Sequence, residues 1–362
     1  MKRIRWGIFG TGTVAGHFAA ALAIIPNAEL LGVSSRSGDR ARAFARNFGV
    51  SRAYGNAPEL VEDDEIDVVY VATPNSTHKD LAILALEHGK AVLCEKPFAL
   101  TGEEARAIAA VARRTGRFCM EGMWMRFVPL MREVTTMVRR GSIGTVRLVT
   151  ATIGFPRAPD AGSHLFNPAL GGGVMLDLGV YALSFAFQFL GQPNDVLAKA
   201  VMGPSGVDEQ ASVLLGFPND AQACLCASFR CRLSNVGTIH GNEGLLRVGE
   251  PLYCPESANL ERTSQHRTHG PEEHRPRRFD RLRQLPLVRD AYARLRRARA
   301  ETVLCRRRLG NGYAHEALEV MRCVDENARE SPIMPLDESV AIMETMDRIR
   351  SQWMRTSSDS GT

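Results

Sequence analysis

Short apolar runs and stretches of helical periodicity take turns along the first third of the chain. "IRWGIFG" (4–10) reads as a buried strand, and a helical pattern over 13–25 follows until Pro26 stops it. "ELLGVSS" (29–35), "DVVYVAT" (67–73) and "AVLCE" (91–95) are further strand-like runs, with helices predicted over 38–48, 76–88 and 102–115. Runs this continuously apolar suit strands covered on both faces. Strand, helix, strand in that rhythm predicts a doubly wound parallel sheet with right-handed crossovers.

Beyond residue 122 the rhythm changes. A helix over 128–140 leads to strand-like runs at 145–155, 195–202, 210–217, 221–230 and 235–240, separated by turn signals such as "PND" and "GNEG". One long helix, about 172–190, interrupts them. That order predicts an α+β domain built on a large, mostly antiparallel open sheet. Residues 256–311 carry little period-two signal, and 313–328 and 337–354 read as helices. The fold class expected is therefore α/β: an N-terminal Rossmann domain over 1–122 and a C-terminal α+β domain over 123–362.

Composition changes this picture in one place. The 362 residues carry a formal charge of +5, but 262–309 hold fifteen arginines against five acids, so the rest of the chain is slightly acidic. Leucine, valine and tyrosine in 275–308 are spaced for a basic amphipathic helix after Pro286. A solvated insertion, or a cover for a sheet edge, is expected there. Nucleic acid is not an expected partner, since few aromatics and no recognition motif accompany the arginines. His266, His269 and His274 in that stretch read as loop histidines, and no metal site is expected.

Eight scattered cysteines suit reduced thiols in a cytoplasmic protein, with Cys224 and Cys226 read as small strand residues. The basic, apolar start has the outline of a signal peptide, but His17 and three glycines in six residues argue against one. Asp177, Ser184 and Gln188 interrupt the apolar run at 174–190, so stable membrane insertion is not expected.

The first strand runs directly into Gly10-Thr11-Gly12-Thr13-Val14-Ala15, a G-x-G-x-x-A turn that opens a helix. Gly10 permits the tight turn, Gly12 lets backbone amides approach a pyrophosphate, and Ala15 lets helix and strand pack closely. Dinucleotide binding is the expectation. At the end of the second strand, where an NAD site usually carries an acid for the ribose hydroxyl, stand Ser35 and Arg36, with Arg40 beyond. A hydroxyl and a guanidinium suit a 2′-phosphate, so the expected cofactor is NADP. Strand 91–95 delivers Lys96 to the same sheet edge, and Pro97, compatible with a cis bond, ends the ladder. An ammonium there can bond a substrate oxygen beside the nicotinamide, whereas pairing with Glu95 would make it structural.

"GTG", "VATPNSTH" (71–78), "EKP" (95–97) and "LGGGVMLDLGVY" (170–181) together resemble the glucose–fructose oxidoreductase/inositol dehydrogenase (Gfo/Idh/MocA) family. "EGMWMRFVPL" (121–130) and "SGVDEQASVLL" (205–215) look most like its dimeric dihydrodiol dehydrogenase and D-xylose dehydrogenase branch. The resemblance implies cofactor contacts at Thr73, Pro74, Asn75, His78, Glu95 and Lys96. It implies Lys96 and Tyr181 as catalytic residues, with Tyr181 handling the substrate proton and Asp177 orienting one of the two. Asp177 and Tyr181 stand at i and i+4, on one face of a helix. A nearby ammonium would lower the tyrosine pKa toward neutrality. Trp124, Arg126, Phe155 and His164 are substrate-side candidates. At 164–167 the chain has "HLFN" where the resemblance implies an arginine and an acid, which puts dihydrodiol or xylose specificity in doubt.

The implied activity is hydride transfer between NADP(H) and a hydroxyl or carbonyl carbon of a sugar, cyclic polyol or trans-dihydrodiol, in a homodimer formed through the C-terminal sheet. Two alternatives stand beside it: a biosynthetic ketoreductase on a glycosyl or natural-product substrate, and a non-catalytic cofactor-binding sensor or scaffold. Intact Lys96 and Tyr181 favour the enzymes.

Overall fold

The computed structural model describes residues 2–160, 162–263 and 301–356. Six strands, β1 (Ile4–Phe9), β2 (Ala28–Ser34), β3 (Arg52–Tyr54), β4 (Val68–Val71), β5 (Ala91–Glu95) and β6 (Cys119–Gly122), form a parallel sheet in the order β3-β2-β1-β4-β5-β6. Every residue of β4 and β5 is buried, as a sheet covered on both faces requires. Its core is aromatic: Trp6 meets Phe18 edge-on at 5.2 Å, and Phe18 stacks on Tyr70 at 3.8 Å.

The crossover helices are α1 (Thr13–Leu22), α2 (Gly38–Phe48), α3 (Ala57–Val61), α4 (His78–Glu87) and α5 (Gly102–Thr115). Caps set their limits. Thr101 accepts the Glu104 N–H at 3.2 Å, the Glu104 carboxylate returns to the Leu100 N–H at 3.0 Å, and left-handed Gly116 ends α5. Helix α1 begins at Gly12 without a side-chain cap, leaving its first amides unclaimed by side chains.

After α6 (Pro129–Arg139) the chain builds a second sheet. Its strands are β7 (Val146–Gly154), β8 (Asp195–Met202), β9 (Asp208–Gly216), β10 (Gln222–Ser228), β11 (Gly237–Gly241), β12 (Gly244–Val248), β13 (Ser257–Arg262) and β14 (Glu301–Cys305). The order is β14-β13-β12-β11-β7-β10-β9-β8, antiparallel except for β7 with β10. Helix α7 (Val180–Leu190) lies on one face, preceded by one π-turn, Met175–Gly179. The opposite face leaves Leu197, Val201, Leu214 and Val303 exposed. The apolar stretch Pro168–Leu190 is long enough to cross a membrane, but most of it is buried inside the fold.

The expectation of little strand structure over 256–311 is corrected by β13 and β14, and β3, β6 and β12 also went unread. Period-two alternation is present in β14, with Val303 outward and Leu304 inward, but five residues between arginine-rich flanks carry little pattern. The helix expected after Pro286 therefore gives way to a strand at 301–305, and 264–300, with the three loop histidines, lie outside the described residues. In sequence that segment stands between β13 and the edge strand β14.

The C-terminal helices α8 (Ala314–Asp325) and α9 (Leu336–Thr356) do not stay with the second sheet alone. Helix α8 packs on α1, and α9 is held between α5 and β8. Asp347 accepts the Gly102 N–H at 2.8 Å, while Gln352 bonds Ala198 N–H and Val196 carbonyl at 2.6 Å each. The two sheets are thereby tied together.

Candidate active site

The β1–α1 turn has the geometry its glycines predict. Gly10 adopts φ +106°, and a Cβ there would stand 2.3 Å from the Ala72 carbonyl oxygen, so no larger residue fits without moving β4. A Cβ at Gly12 would meet nothing within 4 Å, so open space lies beside the uncapped α1 N-terminus. Thr11, Thr13 and Val14 line the same turn and are exposed or half-buried. Free amides and room beside them fit a pyrophosphate. At the end of β2, Arg36 and Arg40 are exposed, and Ser35 Oγ accepts the Ser37 N–H at 3.3 Å. No carboxylate follows β2 until Asp39, which pairs with Arg42 at 2.7 Å. This donor set fits a phosphorylated ribose.

The next two loops are fastened to each other. His78, wholly buried, sets Nδ1 2.8 Å from the Pro97 carbonyl and Nε2 3.0 Å from the Thr73 carbonyl. Burial lowers its pKa, against the two carbonyls, which raise it. His78 thus ties the β4 loop to the cis Lys96–Pro97 bond and has no ring nitrogen left for a cofactor. Thr77 Oγ1 donates to Thr73 at 2.8 Å or to the Pro74 carbonyl, and Asn75 Nδ2 bonds the Gly171 carbonyl at 3.0 Å. That last bond brings the Gly171–Gly173 turn over the sheet edge. Gly173, φ +117°, is required because Asp208 Oδ1 lies 2.3 Å from where a Cβ would be. Asp208 in turn accepts the Met175 N–H at 2.8 Å and anchors the π-turn, which presents Asp177.

Here the sheets meet chemically. Lys96 Nζ lies 2.7 Å from the Asp177 carbonyl and 3.1 Å from Asp177 Oδ1. The same ammonium is 4.8 Å from the centroid of the Tyr181 ring, in cation–π range. The Trp124 indole N–H donates to the Tyr181 hydroxyl at 3.0 Å. Trp124 stacks on Tyr313 at 4.3 Å and on Tyr253 at 5.8 Å, and Phe155 closes on Tyr253 at 6.1 Å. An ammonium, a carboxylate and a phenol with a donor on its oxygen therefore face one aromatic wall. Proton handling on a substrate oxygen is the chemistry such a set supports.

Several expectations change. The Tyr181 pKa is raised, not lowered: burial is the largest cause, and Tyr313, Glu95 and Asp177 add to it, while the Trp124 donor opposes. The Lys96 ammonium sits over the ring and is committed to Asp177 rather than to the phenol oxygen. Glu95 does not point toward a cofactor; its buried carboxylate accepts from Tyr70 hydroxyl and from the Lys96 N–H at 3.1 Å. Arg126 is also turned away, its guanidinium bonded to Ser184 at 2.9 and 2.7 Å and to Glu338 at 2.6 Å. His164 is exposed and has no side-chain hydrogen bond or ion pair among the described residues.

Sequence reading missed Tyr253 and Tyr313. Nothing local marks either one, because each reaches Trp124 only through the tertiary fold. Among the described residues, no group of three or more acids, cysteines and histidines is placed to hold a metal.

Residues 4–123 match the oxidoreductase family with an NAD-binding Rossmann fold, and 131–247 match the GFO/IDH/MocA C-terminal domain. A trans-1,2-dihydrobenzene-1,2-diol dehydrogenase from Xenopus laevis is 31% identical over 356 residues, covering 96% of this chain and 97% of its own. The mouse (Mus musculus) enzyme of that name is 32% identical, with 96% of each chain covered. Among solved structures, a 3-ketoreductase from Actinomadura kijaniata in complex with NADP and TDP-benzene superposes with a TM-score of 0.77 at 26% identity, over 97% of this chain and 98% of its own. An aldose–aldose oxidoreductase from Caulobacter crescentus shares the fold at a TM-score of 0.79 and 22% identity, over 97% of both chains. With the turn, the lysine and the tyrosine where two sheets bring them together, and both halves matched in order, the chain belongs to the Gfo/Idh/MocA oxidoreductase family.

Proposed function

We propose that this chain is an NADP(H)-dependent oxidoreductase acting on a hydroxyl or carbonyl carbon of a sugar, cyclic polyol or trans-dihydrodiol. The observation that carries the proposal is the convergence of Lys96, Asp177 and Tyr181, at 2.7–3.1 Å and 4.8 Å, beside the glycine turn's sheet edge. The bound nicotinamide supplies hydride exchange. The protein's own residues do the rest. Gly10 to Val14 hold the pyrophosphate, and Ser35, Arg36 and Arg40 hold the 2′-phosphate. Thr73, Pro74 and Asn75 form the loop beside it. Lys96 orients the reacting oxygen, with Asp177 fixing the ammonium. Tyr181 gives or takes the proton on that oxygen, and Trp124 holds the phenol. The raised pKa of Tyr181 suits it to the protonated form, hence to donating toward a carbonyl. Trp124 and Phe155 supply an apolar wall on which the carbon face of a ring can lie.

A biosynthetic ketoreductase on a glycosyl substrate is the second reading. It is favoured by the similarity to the Actinomadura enzyme and by Arg157 and Arg308, which stand close enough to Tyr253 to lower its pKa against the burial that raises it. An absorbance assay with NADP and then NAD over aldoses, inositols and trans-dihydrodiols, and with NADPH over keto sugars, separates the two. No turnover on any class, in a protein that binds NADPH, would refute both.

The exposed apolar face of the second sheet supports a homodimer, to be checked by sedimentation of the wild type against Leu214→Glu; a monomeric wild type would refute it. Eight free cysteines support a cytoplasmic location, which cell fractionation tests; recovery outside the cytosol would refute it.

A further inference from the structure

Beneath the Lys96 cluster lie acids that the chemistry above does not use. Glu316, in the first turn of α8, is wholly buried, and neither of its carboxyl oxygens meets a hydrogen-bond partner among the described residues. It lies beside the end of β6, where a Cβ on Gly122 would make an ordinary 3.6 Å contact with Glu316 Oε2. Glu95 is the second acid, and its charge acts on Glu316. Unlike Glu316, Glu95 has donors, the Tyr70 hydroxyl and the Lys96 amide.

The groups around Glu316 come from four directions: Tyr70 on β4, Glu95 on β5, Tyr313 at the start of α8, and Cys254 before β13. The nearby cation, Lys96, acts on Glu95 and places its ammonium on Asp177. Glu121 precedes Gly122 and so points to the other face of β6, where it accepts the Phe98 N–H at 3.0 Å. His315 accepts from the Leu309 N–H at 2.9 Å, and His17 lies 6.2 Å from Tyr313 on its outer side.

An unpaired buried carboxylate is costly, and two neighbouring ones do not both ionise. Donors decide which of them keeps the proton. Burial raises both pKa values, but Glu95 has two donors and the Lys96 charge to oppose it and takes the charge; Glu316 has none and takes the proton. We propose that Glu316 is held as a neutral acid beside an ionised Glu95, and that this singly charged pair positions the protonation state of the Lys96–Tyr181 site. Loss of the Glu316 proton to solvent at high pH places a second negative charge beside Glu95 and Tyr313, the two groups through which it would oppose ionisation of the phenol. This last step rests on the proposed roles of Lys96 and Tyr181; the protonation of Glu316 does not.

Two measurements need no substrate. The first is infrared difference spectroscopy in D2O, wild type minus Glu316→Gln, at a pH above the value of about 7 to which burial raises Glu121. A protonated-carboxyl band is expected in the wild type and lost in the variant. The second is thermal stability against pH. A carboxyl whose folded pKa lies above its unfolded one loses stability as pH rises between the two. The wild type is therefore expected to fall behind Glu316→Gln by roughly 3–6 °C in Tm from pH 5 to pH 8. Absence of the band, or parallel stability curves, overturns the neutral acid. If Glu316→Gln does not fold, titration of the wild-type band decides alone, and a band already lost at neutral pH overturns the proposal. With the band present, an alkaline limb of the turnover profile that stays in place in Glu316→Gln overturns the positioning role, while a shifted limb supports it.

Discussion

Replacing Trp124 by phenylalanine removes one N–H and keeps an aromatic ring against Tyr313 and Tyr253. The lost donor lies 3.0 Å from the Tyr181 hydroxyl, in a buried setting where no other donor to that oxygen is present among the described residues. A hydrogen bond to a neutral acceptor is worth about 1 kcal/mol, and one to a charged acceptor roughly 1.5–3 kcal/mol. The phenolate thus loses about 1–1.5 kcal/mol more than the phenol, which corresponds to a rise of about one pKa unit. Burial, Tyr313, Glu95 and Asp177 already raise this pKa, and Trp124 works against them, so its removal adds to the rise. Alcohol oxidation, in which Tyr181 accepts the proton, should slow about tenfold at pH 7. Its pH optimum should move up by about one unit, whereas carbonyl reduction, in which Tyr181 donates, should lose less. The assay is kcat and kcat/KM in both directions across pH, with NADPH affinity as a control for the fold. A uniform loss at every pH, equal in both directions, would mean that Trp124 is only a wall of the pocket and would refute the argument.

Two further outcomes follow from the cofactor side. Arg36→Ala should weaken NADPH binding by roughly tenfold or more, the worth of a charge-assisted contact, and leave NADH nearly unchanged; equal effects on both in a binding titration would refute the 2′-phosphate assignment. Gly10→Ala places a Cβ 2.3 Å from the Ala72 carbonyl at φ +106°, so NADPH binding should fall by at least about tenfold. Unchanged affinity in a fluorescence titration would show that this turn does not hold the nucleotide.

Four strands of the first sheet, β1, β2, β4 and β5, were legible because they are apolar on both faces and separated by helices; β3 and β6, three and four residues long, were not. Ser37, Thr101, Gly49 and Gly116 all stand at helix ends where the residue type predicts them. The second sheet was less so. Strands β12 and β14 are five residues each, and arginine-rich neighbours conceal the alternation of β14. In the site, Lys96, Asp177 and Tyr181 could be read from motifs, because a strand end and one helical turn deliver them locally. What a side chain touches after the sheets come together could not be read. Arg126 and Glu95 stand in the right motifs, yet their charges are bound by Glu338 and Tyr70. Tyr253, Tyr313 and Glu316 arrive from distant stretches with no local signal. The direction of the Tyr181 shift failed for the same reason: sequence supplied the cation but not the burial or the three neighbours that outweigh it.

The central claim is that Lys96 and Tyr181 perform chemistry rather than hold the fold. The measurement is NADPH affinity and turnover, side by side, in Lys96→Met and Tyr181→Phe. Both variants should bind NADPH within a few-fold of wild type and lose turnover by roughly 100-fold or more, the usual worth of a positioned acid–base group. Wild-type turnover in either variant, with binding intact, would contradict the account.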